Sequence, residues 1–599
     1  MDNLNNYFVP SFSDQLLLKR KKIKRQLLER QVDWLDVKIA ILGGSTTHDI
    51  KDVLELFLLY HGIRAVFYES EYNQYWQDVM FDNKELSSFK PDIIYIHTSN
   101  RNIMDYPVLS DSREAVDKRL HTIYKHFSDM WEKIEKKYGC IVIQNNFEYP
   151  YWRLQGNREA TDYHGTVNFI TRLNLLFAEY AQEHENFLIN DINYLSAKYG
   201  LEKWFDLFYW CMYKYCLSMQ AIPTLVHSVA CIIKSLYGKN KKAFALDLDN
   251  TLWGGIVGDD GPENLKIGRE TPTGEIYTEF QEYLKAHRQL GIILNIISKN
   301  ENESVLAGLN HPDMTLRPDD FVMIKANWEP KSENLLDVAH TLSLTPDSFV
   351  FVDDNPAERE IIRQQIKNAT VPDMGDNPKG FIGALDKMGY FEVTAVSADD
   401  ASREKMYHEN AVRAKEELRF SDYNEYLLSL KMKAEIGAFI PTYYSRIAQL
   451  SNKSNQFNLT TRRYTQAEIE AIATDDSYIT LYGKLSDKFG DNGVVSVVIG
   501  HRSGETVDID LWIMSCRVLK RDMECAMADK LVEECRRRGI KKIIGHFYPT
   551  AKNSMVKEFY GMQGFDKIGE DETGNSKWEL ALEGYELRNH VIELSSPSL

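Results

Sequence analysis

The sequence predicts an α/β protein of several domains, and three observations carry that prediction. Short runs of Val, Ile and Leu alternate with helix-length segments along the first two thirds of the chain, the pattern of parallel sheets covered by helices. Two of these runs end abruptly in paired acids, Asp247-Leu248-Asp249 and Asp353-Asp354, at strand ends where open α/β sheets place their ligands. Past residue 430 the order changes to successive strands leading into one helix, an α+β signature. A chain of 599 residues has room for three or four such domains.

Residues 1–35 begin polar and continue into a basic amphipathic stretch, Leu16 to Arg30, with no signal-peptide core. Its apolar spacing suits burial against the protein better than binding at a membrane surface. Residues 36–231 show strands at Val37–Leu42, Ala65–Tyr68, Ile93–Ile96, Ile141–Gln144 and Phe187–Ile189, which predict a doubly wound sheet. The first ends in Gly43-Gly44-Ser45-Thr46-Thr47 and the third in His97-Thr98-Ser99-Asn100. These positions resemble the SGNH hydrolase fold. In Asp191-Ile192-Asn193-Tyr194, however, Tyr194 stands where that family's histidine activates the serine. A serine without its base is a poor nucleophile, so a docking or substrate-gating domain is expected, with His48 or His97 the only rescue in view.

Residues 232–392 carry the chemistry. Asp247 and Asp249 lie on one face of a strand end, because successive strand side chains alternate. Taken alone, Asp-Asn-Thr also fits a helix-capping turn. Ile292–Ile297 runs into Ser298, Lys331 opens a helical segment, and Phe349–Val352 runs into Asp353-Asp354-Asn355. Four polar clusters at strand and helix ends would converge on one site. In sequence order they resemble the four motifs of the haloacid dehalogenase (HAD) superfamily of aspartate-based phosphotransferases. That resemblance implies Asp247 as nucleophile, Asp249 as general acid/base, and Thr251, Ser298 and Lys331 on the substrate side. It also implies a magnesium ion held by Asp247, the backbone carbonyl of Asp249, and Asp354 in preference to Asp353. The short intervals after Asp249 and after Ser298 leave no room for a large cap domain.

Residues 393–430 read as a charged helical connector. In 431–590, strands at Gly493–Ile499 and Asp508–Ser515, a helix from Asp522 to Arg538, a strand at Lys542–His546 and the ending Tyr560-Gly561-Met562-Gln563-Gly564-Phe565 resemble the GNAT acyltransferase fold. The segment Arg517-Val518-Leu519-Lys520-Arg521-Asp522-Met523 lacks the glycines that would cradle a pyrophosphate. Free coenzyme A therefore fits poorly, whereas a phosphopantetheine arm would not need that loop. Lys520 and Arg521 could meet an acidic carrier protein. Cys516 is the candidate thiol nucleophile, with Arg517 lowering its pKa and His546 assisting, or else a small buried hydrophobe. Asn455, Asn458, Arg462 and Arg463 suit either a phosphate or carboxylate grip or a solvated loop.

Net charge of −17 disfavours nucleic acid, and Arg536-Arg537-Arg538 reads as a solvated helix end. No apolar run of membrane-spanning length is evident, and seven cysteines without paired spacing suit a reducing cytoplasm. The strings Asp247-Leu248-Asp249-Asn250-Thr251-Leu252-Trp253-Gly254-Gly255 and Asn455-Gln456-Phe457-Asn458-Leu459-Thr460-Thr461-Arg462-Arg463-Tyr464 resemble the FkbH-like family, HAD subfamily IIIC. The resemblance implies removal of phosphate from a 1,3-bisphosphoglycerate-like donor and transfer of its glyceryl group to an acyl carrier protein. A plain phosphatase and a non-catalytic assembly protein are the alternatives.

Overall fold

Parallel strands must be covered on both faces, and the apolar runs of this chain are buried as that requires. The structure is a computed structural model describing residues 4–12, 14–395, 403–550 and 552–595. It divides into two units, Met1–Leu236 with Glu392–Ala395, and Tyr237–Phe391 with Val396–Leu599.

In the first unit, β1 (Leu35–Gly43), β2 (Ile63–Glu69), β3 (Ile93–His97), β4 (Ile141–Asn145) and β5 (Phe187–Asn190) form a parallel sheet. Its order is β2-β1-β3-β4-β5. All five expected strands are present, β1 and β2 longer by three residues and the others by one. On one face Ala40, Leu42, Ile94 and Ile96 pack with Phe127, Trp131, Phe169 and Phe177 from the helices Arg113–Tyr138 and Thr166–Glu183. The first of these helices starts where Ser112 accepts the Ala115 N–H and stops at Gly139, whose φ of 58° suits glycine. The basic N-terminal stretch folds as the helix Arg20–Leu28, burying Ile23 and Leu27. Arg20 pairs with Asp49 at 3.0 Å and Lys24 with Glu55 at 2.6 Å, so this helix packs against its own domain. Among the described residues one helix, Met219–Leu236, is long and apolar enough by composition to cross a membrane, which corrects the reading that no such run exists; 72% of it is buried inside the protein.

The second unit holds two sheets. β6 (Ala243–Leu246), β7 (Ile293–Ser298), β8 (Met323–Ala326) and β9 (Phe349–Val352) are parallel, in the order β8-β7-β6-β9. Their register sets Leu246 beside both Ile296 and Val352, so the residues that follow β6 and β9 emerge side by side. Between β6 and β7 lie one short turn, Val257–Asp260, and the long helix Pro272–Arg288, and no cap domain is inserted there.

The larger sheet contains β10 (Lys433–Gly437), β11 (Phe457–Asn458), β12 (Tyr478–Asp487), β13 (Gly490–Ser503), β14 (Thr506–Met514), β15 (Lys542–Phe547), β16 (Asp566–Glu570), β17 (Ser576–Ala581) and β18 (Glu593–Ser595). β12, β13 and β14 are antiparallel neighbours, and β14 pairs with β15 in parallel only over Thr506–Asp508. Beyond that point the two strands part, and β11 enters the gap. Phe457 and Asn458 pair with Met514 and Ile513, while Tyr548, just past β15, donates its N–H to the Leu459 carbonyl at 2.9 Å. Strand edges that would otherwise lie open are thus satisfied by the chain itself. The helix Met523–Arg537 crosses β12 at Gly483, where a Cβ would lie 2.4 Å from Met523 Cε.

The helix Arg403–Glu417 joins the two sheets, burying Tyr407 and Ala411 in the core of the first and forming a bidentate pair from Arg413 to Asp487 of the second. Residues 396–402 of the expected connector lie outside the described residues.

Candidate active site

The carboxyl edge of the four-stranded sheet gathers the acids predicted there. Asp247 follows β6 directly, held by its N–H to the Val352 carbonyl at 2.9 Å. Pro330 precedes the helix Lys331–Thr341, and its first residue reaches back over the sheet edge. Lys331 Nζ lies 2.9 Å from Asp247 Oδ1 and 2.7 Å from Asp353 Oδ2, with all three side chains buried. Burial pushes the Asp247 carboxyl above its ordinary range and the nearby Asp353 adds to this, while Lys331 pulls against both. The two carboxylates hold the Lys331 ammonium firmly protonated against its own burial.

Asp353 is fully engaged, its second oxygen accepting the Asn355 N–H at 2.9 Å. Asp354 is only partly buried, and its backbone is fixed from both sides. Its N–H donates to Thr251 Oγ1 at 3.2 Å, and its carbonyl accepts from Arg359 Nη1 at 2.7 Å. Asp247, Asp353 and Asp354 each bring an oxygen within 4.8 Å of the others. Three hard carboxylate donors at a sheet edge fit magnesium, with Asp354 the least occupied of them. Thr251 therefore buttresses the metal-side loop in this structure.

Asp249 stands apart from that trio. Its Oδ1 accepts from Trp253 Nε1 at 2.9 Å and from the Val257 N–H at 3.0 Å, and its Oδ2 from Asn300 Nδ2 at 2.7 Å. Asn300 also reaches Ser298 Oγ at 3.2 Å, so one amide orients both predicted residues. Sequence reasoning missed Asn300, Arg359 and the indole of Trp253. The signal for Asn300 was its place two residues past Ser298, just beyond the end of the same strand.

Several expectations in the larger sheet are corrected. Arg463 is partly buried, with one nitrogen on the Asn452 carbonyl and another on Asn455 Oδ1 at 2.7 Å, and desolvation pushes its pKa down to about 10. Asn458 Oδ1 accepts the Thr461 N–H at 2.8 Å, and Arg462 pairs with Asp510 at 2.7 Å. This string stitches β11 into the gap between β14 and β15, where the fold engages Asn455, Asn458 and Arg463, while Arg462 keeps about half of its side chain exposed. Arg521 is buried against Asp487, Asn410 and the Arg517 carbonyl, which removes it as a docking residue. Arg536 caps the carbonyls of Leu582 and Tyr585, and Arg537 and Arg538 pair with Glu534, as a helix end would.

Cys516 opens a short helical turn after β14 and packs partly buried against the apolar core of the four-stranded sheet, beside Tyr407. Arg517 turns to Ser515 Oγ and Met406, so it does not serve the thiol as expected. His546 pairs with Asp508 at 3.2 Å, at the other end of β14. Six strand residues, about 20 Å at roughly 3.3 Å each, separate that contact from Met514, which excludes His546 as a partner of Cys516.

In the first unit, Ser45 Oγ donates to Cys216 Sγ at 3.3 Å, and His97 Nε2 faces the same sulfur at 3.2 Å. The tautomer follows from the network. Asn145 Oδ1 accepts from Asn190 Nδ2 and from Tyr95 Oη, and Asn145 Nδ2 donates to the Thr98 carbonyl, which can only accept. The same Nδ2 lies 2.9 Å from His97 Nδ1, which must therefore accept and leave the proton on Nε2. Burial depresses the His97 pKa to about 4, keeping the ring neutral. A neutral ring with its proton aimed at sulfur is no base for Ser45. Tyr194 is 59% exposed, and Asp191 caps its own helix. His48 lies on the surface near Glu69 and Asp52.

Residues 38–234 match the model of the FkbH N-terminal domain. The chain is 30% identical to the N-terminal part of the protein BF1531 from Bacteroides fragilis, containing a phosphatase domain complexed with Mg, covering 63% of this chain and 99% of that one with a TM-score of 0.58. The ribosomal-protein-S18-alanine N-acetyltransferase of Escherichia coli matches 26% of this chain and 99% of its own at 11% identity and a TM-score of 0.21. The GNAT domain of S. lividans PAT matches 24% and 89% at 14% identity and the same score. No curated protein matches.

Proposed function

Because the chain belongs to the FkbH-like family, we propose that it is a magnesium-dependent phosphatase that strips phosphate from a small phosphorylated acyl donor of the 1,3-bisphosphoglycerate type and delivers the acyl group to an acyl carrier protein. The observation that carries the phosphatase half is the convergence of Asp247, Lys331, Asp353 and Asp354 on one sheet edge. Asp247, Asp353 and Asp354 would hold the metal, which when bound would neutralise charge on the phosphoryl oxygens.

The rest falls to the chain's own side chains. Asp247 attacks the phosphorus of the donor's phosphate ester through a carboxylate oxygen, forming an aspartyl-phosphate as the bond to the alcohol oxygen breaks; the acyl phosphate stays intact, so that a thiol attacking its carbonyl carbon forms the thioester as that second phosphate leaves. Lys331 and Ser298 take the phosphoryl oxygens, Lys331 as a fixed positive charge. Asp249, oriented by Trp253, Val257 and Asn300, gives a proton to the leaving oxygen and later takes one from the attacking water.

A second reading, a plain phosphatase, is favoured by one observation: Cys516 lies against an apolar core, away from His546, with the Arg517 guanidinium bonded to Ser515 and Met406. One experiment separates the two. The protein is mixed with magnesium, 1,3-bisphosphoglycerate and a phosphopantetheinylated carrier, and every species is weighed intact. Carrier loading is expected, with release of the ester phosphate abolished by Asp247→Asn. A glyceryl adduct on the protein that disappears in Cys516→Ala would assign the relay. Phosphate release without a loaded carrier would establish the plain phosphatase.

A further inference from the structure

A helix made only of apolar and aromatic residues rarely lies on a surface without a partner. The helix Leu207–Tyr213, Leu-Phe-Tyr-Trp-Cys-Met-Tyr, has no buried residue, and Leu207, Phe208, Met212 and Tyr213 are each more than half exposed. It is firmly anchored. Asp206 caps its first N–H groups, and behind it Thr46 donates its N–H to the Lys214 carbonyl at 3.0 Å while Tyr215 Oη donates to Asp49 at 2.6 Å. These ties fix it to the turn after β1, on the carboxyl edge of the five-stranded sheet. The turns after β3 and β4 extend the same surface. Arg101 lies over the rings of Phe205 and Trp210, and Tyr151 stacks on Phe205 at 5.5 Å, beside the exposed Trp152 and Leu154.

The exposed charges around this surface are mostly positive. Arg101 and Lys214 both lie over the Trp210 ring, at 5.3 and 5.5 Å from its centre, and neither forms an ion pair among the described residues. Arg153 and Lys203 are exposed close by. The carboxylates of this edge are turned inward: Asp206 caps the helix, Glu148 takes the Asn100 N–H, and Glu159 takes those of Gln155 and Val167. Glu202 is the exposed acid on the neighbouring turn. In a chain of net charge −17, this is a cationic rim around an apolar knob.

We infer that this face docks an acidic protein surface, and, resting on the carrier-loading reading above, that the docked protein is the carrier itself. Apolar and aromatic anchors would supply most of the affinity, and the rim cations the orientation and the association rate. This places the carrier's recognition on the first unit, where Ser45 has no base and the domain is otherwise without a chemical role. It also replaces Arg521, which is buried, as the docking cation.

The test is a calorimetric titration of the full chain with purified phosphopantetheinylated carrier, beside Phe208→Glu/Met212→Glu and Arg101→Glu/Lys214→Glu. Both side chains of the first pair are exposed, so folding should be untouched, and magnesium-dependent hydrolysis of p-nitrophenyl phosphate reports that directly. Each double variant should weaken carrier binding at least tenfold with that hydrolysis unchanged, and wild-type binding should weaken as salt is raised. Unchanged carrier affinity in the variants overturns the docking face and leaves carrier loading standing. Affinity lost in the variants, with no acyl transfer by the wild type, keeps the docking face and removes the transfer. Absence of any carrier binding overturns it, as does capture of the wild type by anionic phosphatidylglycerol vesicles, or self-association, that the Phe208/Met212 variant abolishes.

Discussion

Replacing Lys331 with Met removes a buried cation from between two buried carboxylates, at 2.9 Å from Asp247 and 2.7 Å from Asp353. Breaking a buried pair by deleting one partner costs about 3–5 kcal/mol, because the remaining charge is left uncompensated. Here two acids are left facing each other. One of them can recover part of the loss by binding a proton, since like carboxylates in one site raise each other's pKa. We therefore expect about 3 kcal/mol of destabilisation at pH 8 in EDTA, falling as the pH is lowered toward 5.5. With a urea slope of about 2 kcal/mol per molar, that is a midpoint shift of roughly 1.5 M. The buried indole of Trp253, bonded to Asp249, gives a fluorescence signal at the site itself. Lys331→Met/Asp353→Asn should recover most of the loss, because it removes one of the facing charges. A shift below about 0.5 M at pH 8, or one that does not change with pH, would refute the reasoning.

Asp247→Asn should abolish magnesium-dependent phosphate release while leaving the unfolding midpoint near that of the wild type, as measured by phosphate assay and urea titration. Asn300→Ala removes the amide that orients both Asp249 and Ser298, and about tenfold in kcat is expected to go with it, roughly the weight of one hydrogen bond to a charged group. Arg413→Met leaves the fully buried Asp487 with only Arg521 and backbone donors, so about 3 kcal/mol should be lost, largely restored by Arg413→Met/Asp487→Asn. Asp347 is pushed up by burial but pulled further down by Lys552, to about 2. Its folded pKa lies below its unfolded value near 4, so its stabilisation is present above about pH 4 and is lost between pH 4 and 2. Lys552 is half exposed, which limits the effect to on the order of 1 kcal/mol, and Lys552→Ala should narrow the acid limb of a thermal-melt profile accordingly.

The sequence alone determined what depends on local order along the chain. Buried parallel strands read as continuous apolar runs, so β1 to β7 and β9 were visible, and the acids at their ends pointed to a phosphoryl site before any contact was known. What stayed hidden depends on residues far apart in sequence. β8 is a short edge strand with half-buried residues, and β12 is interrupted at Gly483, whose missing side chain makes sense only against Met523 and Met527. The motif Asn455 to Arg463 offers the same amides and guanidinia to a ligand or to the fold. Only the parting of β14 and β15 decided that it fills a gap in the sheet. Likewise the sequence could name Cys516 and His546 but not their separation, because His546 bonds Asp508 near the start of β14, about 20 Å of strand before Met514. Side-chain type sets which chemistry is possible, and the tertiary fold sets which of those groups can meet.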